Sequence, residues 1–316
     1  MVTPSAQVGA TAKVAAPTVQ TCTPGLTALL QPPISATADK VYFRDGDTRI
    51  GYLTPSGKTG DATTVPGSSS SVSFFSVSPD DERIAVLVED FSAANTIGLR
   101  LYVEDVNGGG HHAEIYSTTT PKGPTATTLW PMGWHGGMLV LALIAACTND
   151  LPQNVRPVEW HVSSASTGDR VVTIRGCTLS LWPSTTGVGC LDSARNVVMV
   201  FDWSGKVIAT FAPPLPYQGQ LWQSSISPSG QRIFFASQEY CGAMCPGNYT
   251  YVTGASGDLL AEQSDDPPAC VWIDDTDMMS RNGVISLRQS SNPNTATVNA
   301  RLPENGICAG RYPGGL

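Results

Sequence analysis

The sequence predicts an all-β fold, a six-bladed β-propeller of four-stranded antiparallel blades. Three recurring features predict it: a Ser-Pro hairpin that occurs twice, a series of glycine-containing hairpin turns, and aromatic residues at the start of the repeated units. Units that recur along a chain are typical of repeat architectures. Only 14% of the residues are charged and 31 are glycine, a composition that favours short strands and tight turns over helices.

The Ser-Pro hairpin is the strongest of these features. Residues 76–90, SVSPDDERIAVLVED, recur at residues 225–239 as SISPSGQRIFFASQE. In both copies a polar turn joins two apolar strands, which predicts a β-hairpin. The segments SVSPDDERIAV and SISPSGQRIFF resemble the Ser-Pro-Asp-Gly signature of the WD40-like (PD40) propeller repeats of the TolB type. That resemblance implies a propeller but no particular activity, because propellers serve as binders, lyases, hydrolases and assembly factors.

A second hairpin recurs through the chain, with glycine at a turn that requires positive φ. The five glycine turns are Ser56-Gly57, Asn107-Gly108, Thr167-Gly168, Ser204-Gly205 and Ser256-Gly257. A sixth unit turns at residues 292–294 instead. The spacing of these turns predicts one per blade, with connections of varying length.

Aromatic residues mark the predicted first strand of most blades. Phe74-Phe75 stands at this place in blade 2, and later blades carry tryptophan at Trp130, Trp182, Trp222 and Trp272. We interpret a tryptophan that follows the repeat as packing between neighbouring blades. The alternative is a ring of aromatic side chains at the channel mouth that stacks on a sugar.

The two ends of the chain are assigned by composition and by the need to close the ring. Residues 1–38 are predicted to be a Pro/Ala/Thr-rich arm, and residues 39–316 a single propeller domain. Blade 1 has no evident first strand before residue 40. We expect residues 306–315 to supply it and so to close the propeller through the C-terminal strand, since an open sheet edge promotes aggregation.

Long connections are predicted on one face of the propeller. Residues 90–98, 147–158 and 240–249 join second to third strands, so they share that face. Long loops in a compact fold usually bind something or need stapling. We therefore place a binding site for a protein or glycan on this loop-rich face, with Trp130, Trp182, Trp222, Trp272, Asp274 and Asp275 as candidate residues.

The eight cysteines favour disulfides over zinc, because no C-x-x-C pair is present. The candidates are Cys22, Cys147, Cys177, Cys190, Cys241, Cys245, Cys270 and Cys308. The preferred pairing joins Cys147 to Cys177, with Cys241 and Cys245 near Cys270; the alternative joins Cys177 to Cys190. Disulfides predict an extracellular or cell-surface location, although no signal or anchor segment is evident in this chain.

Metal-binding and catalytic motifs are scarce. His111 and His112 are adjacent on a predicted strand and point to opposite faces, so they are poor chelators of one ion. Asp274, Asp275 and Asp277 could hold Ca²⁺, but the EF-hand pattern fails, so no cofactor is predicted. No G-x-S-x-G, P-loop or H-E-x-x-H motif occurs.

Two functional hypotheses follow. The favoured one is a secreted or surface-displayed, non-catalytic binding scaffold. The other is a metal-dependent hydrolase or lyase of the six-bladed lactonase-like kind, with its site in the central channel. The net charge of −8 argues against nucleic acid as a partner, and no apolar run is long enough to span a membrane.

Overall fold

The described part of the chain consists of β-strands joined by turns and connections, in a computed structural model. It contains no helix within these residues, as the sequence predicted. The structure describes residues 34–37, 39–123, 125–146, 157, 159–177, 179–180, 183–192, 195, 197–212, 220–238, 248–254, 259–264, 269–280 and 283–287.

The described strands form six antiparallel sheets, each a meander in chain order. We number these sheets 1 to 6 along the chain. Sheet 1 contains β1 (Ile34–Ala36), β2 (Val41–Asp45), β3 (Arg49–Leu53) and β4 (Thr59–Thr64). Sheet 2 contains β5 (Ser71–Val77), β6 (Arg83–Asp90), β7 (Thr96–Asp105) and β8 (Ala113–Pro121). Sheet 3 contains β9 (Thr127–His135), β10 (Met138–Ala145), β11 (Glu159–Ser164) and β12 (Arg170–Ile174).

The second half of the chain repeats this plan. Sheet 4 contains β13 (Leu179–Ser180), β14 (Gly187–Asp192), β15 (Val197–Asp202) and β16 (Val207–Phe211). Sheet 5 contains β17 (Gln220–Ile226), β18 (Arg232–Gln238), β19 (Asn248–Gly254) and β20 (Leu259–Ser264). Sheet 6 has three described strands, β21 (Ala269–Trp272), β22 (Asp277–Ser280) and β23 (Gly283–Ser286).

Sheet 1 includes part of the predicted N-terminal arm. Residues 34–36 form β1, which pairs antiparallel with β2 as the first strand of that sheet. Residues 306–315, which were expected to supply a first strand and close the propeller, lie outside the described part of the chain. The three-residue length of β1 explains why no strand pattern was visible there.

Neighbouring sheets contact one another through their inner strands. β5 lies against β1 and β9, and β17 lies against β14 and β21. One large apolar cluster joins sheets 2, 3 and 4, and a second joins sheets 1 and 2. This radial packing of antiparallel sheets is the arrangement expected of propeller blades.

The two Ser-Pro hairpins have the same internal structure. In the first copy the Ser78 amide donates to the Arg83 carbonyl (2.8 Å) and the Ser78 hydroxyl accepts from the Arg83 amide (2.9 Å). Ser227 and Arg232 repeat both bonds at 2.8 and 3.2 Å. The serine thus closes the turn with its backbone and its side chain, which explains why the sequence repeats it.

Tryptophan hydrogen bonds tie these hairpins to the following sheet. The Nε1 atom of Trp134 donates to the Ser76 carbonyl (3.2 Å), and the Nε1 atom of Trp272 donates to the Ser225 carbonyl (3.1 Å). Both tryptophans lie on the first strand of the next sheet. The residue equivalent to Trp272 in sheet 3 is therefore Trp134, and not Trp130 as the sequence markers suggested.

Candidate functional site

The chemistry of the described residues is concentrated at one end of sheets 2 and 3. This end carries the connections from β6 to β7, from β8 to β9 and from β10 to β11, so it is the loop-rich face of the predicted propeller. Two groups of titratable side chains occur here, one around Glu89 and one around His161. No motif in the sequence marks Glu89 as a site residue.

Glu89 is a carboxylic acid with no exposure to solvent. It lies on β6, and its carboxyl group is beside Thr128 and Trp130 of β9. Burial raises the pKa of Glu89 to about 8, while Thr128 and Trp130 lower it in part. Neither carboxyl oxygen makes a hydrogen bond of normal geometry. Glu89 is consequently a neutral acid at neutral pH.

Tyr116 completes this polar group from β8. Burial raises the pKa of Tyr116, and the charge of Glu89 adds to that effect. Its hydroxyl oxygen is buried, as are the Thr128 hydroxyl and the Trp130 Nε1 atom, and all three lack a hydrogen bond of normal geometry. Four polar side chains in one buried place are unusual, because buried polar groups are generally hydrogen-bonded.

The second group joins three side chains at the start of β11 and the end of β12. The His161 Nε2 atom contacts the Glu159 carboxylate, whose other oxygen accepts from the Arg175 Nε atom at 3.1 Å. His161 is buried, and burial lowers its pKa despite the hydrogen bond to Glu159. Burial opposes ionisation of Glu159, but His161 and Arg175 together lower the pKa of Glu159. The interaction therefore keeps a neutral imidazole beside a carboxylate.

The remaining histidines do not form a shared metal site. The His111 Nδ1 atom lies 2.9 Å from the Asp105 carboxylate, and the His112 Nδ1 atom lies 3.0 Å from the Glu104 carboxylate. The two rings thus have separate partners, and both residues precede β8 instead of lying on a strand as the sequence predicted. Within the part of the chain that the structure describes, no three His, Cys, Asp or Glu side chains come together as metal ligands.

His135 is half-buried at the end of β9, and its ring centroid lies 6.2 Å from that of Trp203.

The predicted aromatic ring at the channel mouth is not formed by the tryptophans whose side chains are described. Trp130 is 6% exposed and stacks on Phe74 with ring centroids 4.7 Å apart. Trp272 is 1% exposed, and its ring lies 5.9 Å from that of Phe234. As candidate binding residues both are wrong, because both are buried between sheets. Trp182 lies outside the described residues, and Trp222 is placed on β17 by its backbone alone.

Asp274 and Asp275 lie on the face opposite the predicted site. They belong to the hairpin turn between β21 and β22, beside the turn between β17 and β18, because an Asp275 carboxyl oxygen accepts from the Ser229 amide at 2.9 Å. An Asp274 carboxyl oxygen accepts from the Thr276 and Asp277 amides at 2.6 and 2.9 Å. The assignment of these two residues to the loop-rich face is therefore wrong, and they act as turn residues.

The disulfide within sheet 4 joins Cys177 to Cys190, which was the alternative pairing. The Cα atoms are 4.7 Å apart and both residues are buried. The preferred pairing of Cys177 with Cys147 is wrong, because Cys177 is bonded to Cys190 of β14. Cys270 lies on β21. The other cysteine candidates, Cys22, Cys147, Cys241, Cys245 and Cys308, lie outside the described residues.

Comparisons with known proteins agree with this architecture. No protein-family model matches the chain, and no curated protein matches it. The structure is similar to a chain of a mitotic checkpoint complex, with a TM-score of 0.50 and 13% identity over 94% of this chain and 87% of that chain. At this identity the likeness concerns the fold alone.

Two further solved structures are less similar. A putative TolB from Agrobacterium tumefaciens has a TM-score of 0.41 and 12% identity over 74% of this chain and 81% of that chain. An oligogalacturonate lyase from Vibrio parahaemolyticus has a TM-score of 0.45 and 9% identity over 70% of this chain and 62% of that chain. The solved structures that the chain is similar to thus include a TolB, and the likeness to the TolB-type repeat itself rests on the two Ser-Pro hairpins.

Proposed function

We propose that this protein is a non-catalytic binding scaffold whose loop-rich face holds a protein or glycan. The main support is the hydrogen bonding on the opposite face, where polar side chains bond to backbone amides of their own turns. An Asp202 carboxyl oxygen accepts from the Ser204 and Lys206 amides, both at 2.9 Å, and Asp274 does the same in sheet 6. A face whose polar groups are already satisfied offers few of them to a ligand.

The connections point the same way. The connections from β10 to β11 and from β18 to β19 span residues 146–158 and 239–247, while turns such as residues 136–137 and 203–206 on the other face are short. Long connections held by a rigid sheet scaffold are the usual place of binding residues. The loop-rich face is thus where a ligand would find the greatest variety of side chains.

The six sheets are proposed to close into a ring. Sheets 1 to 3 and sheets 4 to 6 already contact along their inner strands. Closure would place sheet 6 against sheet 1, with C-terminal residues after β23 completing sheet 6. This leaves no sheet edge open at the junction.

A secreted or cell-surface location is proposed from the disulfide between Cys177 and Cys190, because such bonds persist in oxidising compartments. Residues 1–33 would then connect the propeller to an anchor or a further domain. Among the described residues no helix is long and apolar enough to cross a membrane.

A binding screen with mapping by hydrogen exchange tests the proposal. The probes are an array of immobilised oligosaccharides and an array of peptides, each followed by exchange measurements with the best binder. We expect protection in the connections at residues 91–95 and 122–126, and none in the turns at residues 54–58 and 203–206. Protection confined to those turns, or to the outer strands, would show that the face is wrongly assigned.

Metal analysis separates the scaffold from the enzyme alternative. A metal-dependent hydrolase or lyase of the lactonase-like kind would need ligands beyond those brought together in the described residues. We expect purified protein to carry no stoichiometric divalent metal. One tightly bound ion per chain, together with turnover of a bound oligosaccharide or lactone, would overturn the proposal in favour of the enzyme.

A further inference from the structure

Glu89 lies in the interface between sheets 2 and 3, which we call the 2–3 seam. Its strand neighbours in register are Val72 on β5 and Leu99 on β7, both apolar. Across the seam its carboxyl group meets Thr128 and Trp130, and Trp130 is itself stacked on sheet 2. The carboxyl group therefore sits at a junction that both sheets share.

Among the described residues, no charged side chain stabilises the ionised form of Glu89. Thr128 and Trp130 from β9 and Tyr116 from β8 are the polar side chains that face it, and Tyr116 is the titratable one. β5 and β7 present Val72 and Leu99. The pKa of Glu89 has no contribution from a neighbouring ion, so burial decides it.

We propose that Glu89 is a proton-binding group of the 2–3 seam, which keeps the seam closed as the neutral acid and loosens it when it ionises. A carboxylate in this place would be shut off from solvent and would meet no cation among the described residues, and such a charge is costly to bury. Opening of the seam would give the charge access to water. The proposal stands whether or not the loop-rich face binds a ligand.

The expected direction of the pH effect follows from the two states. Glu89 has a pKa of about 8 in the folded protein and about 4.5 when exposed. The closed seam therefore binds more protons than the open seam between these values. Stability of the seam is full below about pH 4.5, falls as the pH rises through this range, and levels above about pH 8.

Loosening of the seam would change the mobility of a connection on the loop-rich face. The residue after Glu89 is Asp90, one carboxyl oxygen of which accepts from the Ser92 amide at 2.9 Å. The Phe91 amide donates to the Ser70 carbonyl at 2.8 Å. The connection between β6 and β7 thus begins directly at the proton-binding residue, so proton loss would alter the mobility of this connection.

Direct titration of the carboxyl group is the first test. Carbon NMR of wild-type protein labelled at glutamate side chains should show one resonance that titrates near pH 8 and is absent in Glu89→Gln. The same resonance should be absent in Glu89→Asp, which keeps a carboxylic acid at this position. The assignment then does not depend on the folding of Glu89→Gln alone. A Glu89 resonance that titrates near pH 4.5 in the folded protein would overturn the proposal.

Hydrogen exchange at matched pH is the second test. The ratio of wild-type to Glu89→Gln exchange rates in β6 and β9 should rise by up to about tenfold per pH unit and then level, because one proton is coupled to opening. Because both proteins are compared at the same pH, the hydroxide dependence of the intrinsic exchange rate cancels in the ratio. Glu82→Gln, an exposed glutamate on the same hairpin, is the matched control and should give a ratio that does not change with pH.

The sites of exchange decide whether the effect belongs to the seam. A pH-dependent ratio in β6 and β9 with a constant ratio in β2 and β3 supports a local opening. An equal change in all sheets would show an effect on global unfolding and would overturn the seam as the responsive element. A ratio that is constant with pH everywhere would overturn the proposal altogether.

Discussion

At the residue scale, the two Ser-Pro turns adopt the same backbone conformation with different residues at the position of positive φ. Gly230 has φ +72°, and the equivalent residue in the first hairpin, Asp81, has φ +62°. Glycine adopts this region without strain, whereas aspartate is among the few other residues that tolerate it. Asp81 also lies 3.3 Å from the Lys40 Nζ atom, so the first copy gains an ion pair between sheets 1 and 2. The two sequences SPDD and SPSG are therefore alternative ways to build one turn.

Gly230→Ala should destabilise the protein by more than the same change at Gly57. Both glycines have positive φ, and an added Cβ costs about 1–2 kcal/mol in that region. At Gly230 the Cβ would also lie 3.1 Å from Thr186 and 3.2 Å from Ile208, while at Gly57 it meets nothing within 4 Å. Urea unfolding of both variants measures the difference. Equal losses would show that the turn is not packed against sheet 4.

His161→Gln should remove part of the loss of stability in acid. The folded-state pKa of His161 lies below the unfolded value of 6.5, so its contribution is present above pH 6.5 and is lost as the pH falls. The slope is at most about 1.4 kcal/mol per pH unit for one group. Urea unfolding from neutral to mildly acidic pH should show a flatter curve for His161→Gln. His111→Gln, at an exposed turn, should follow the wild type.

The sequence could not show which titratable residues are buried. Glu89 is followed by Asp90 at the end of an apolar strand, and this position normally marks the polar edge of a strand. Only the arrival of β9 from the next sheet encloses Glu89. The same holds for His161, whose environment comes from neighbouring strands. Burial of a single polar residue at a strand end leaves no periodic signal in the chain.

At the element scale, pairs of adjacent sheets are tied by contacts that recur with the repeat. Trp134 and Trp272 bond to the carbonyl of the first serine in the preceding hairpin. The Arg83 guanidinium donates to the Ala165 carbonyl at 3.2 Å, and Arg232 donates to the Asp275 carbonyl. Each hairpin of this type is thus joined to the next sheet by a tryptophan and an arginine.

Trp134→Phe should cost more stability than Trp130→Phe. The first variant loses the bond to the buried Ser76 carbonyl, and an unpaired buried group costs about 1–3 kcal/mol. Trp130 makes no hydrogen bond of normal geometry through Nε1, so the same change leaves no buried carbonyl without its donor there. The difference in free energy of unfolding between the two variants measures the bond. A larger loss in Trp130→Phe would contradict the assignment.

Strand positions in sheets 2 and 3 follow signals that are local in the sequence. The apolar segments RIAVLVED and MLVLALIA are β6 and β10. Their apolar runs end at turn residues, so the signal is local. β1 and β13, with three and two residues, are too short to give such a signal. They exist because a neighbouring strand supplies the hydrogen-bond partners.

At the scale of the whole molecule, the disulfide adds to the apolar packing of sheet 4. The large apolar cluster that joins sheets 2, 3 and 4 includes both cysteines, and sheet 4 begins with a two-residue strand. The bond between Cys177 and Cys190 lies at this short strand and links it to β14. We interpret it as a compensation for the few hydrogen bonds of β13.

Removal of this disulfide by Cys177→Ala with Cys190→Ala should lower the free energy of unfolding by about 3 kcal/mol, the value expected for a loop of this length. Peptide mapping without reduction should recover the two cysteines in one linked pair. Recovery of Cys177 linked to Cys147 would contradict the structure. A double variant as stable as the wild type would show that the disulfide does not stabilise β13.

The sequence by itself determined the all-β class, the repeat, the turns and most strands, because turn chemistry and alternation depend on residues close together in the chain. Tertiary structure alone decided the buried acid at Glu89, the pairing of Cys177, the roles of Trp134 and Trp272, and the face on which Asp274 lies. Each of these depends on which distant segment packs against the residue. The sequence of a hairpin does not specify which other sheet packs against it.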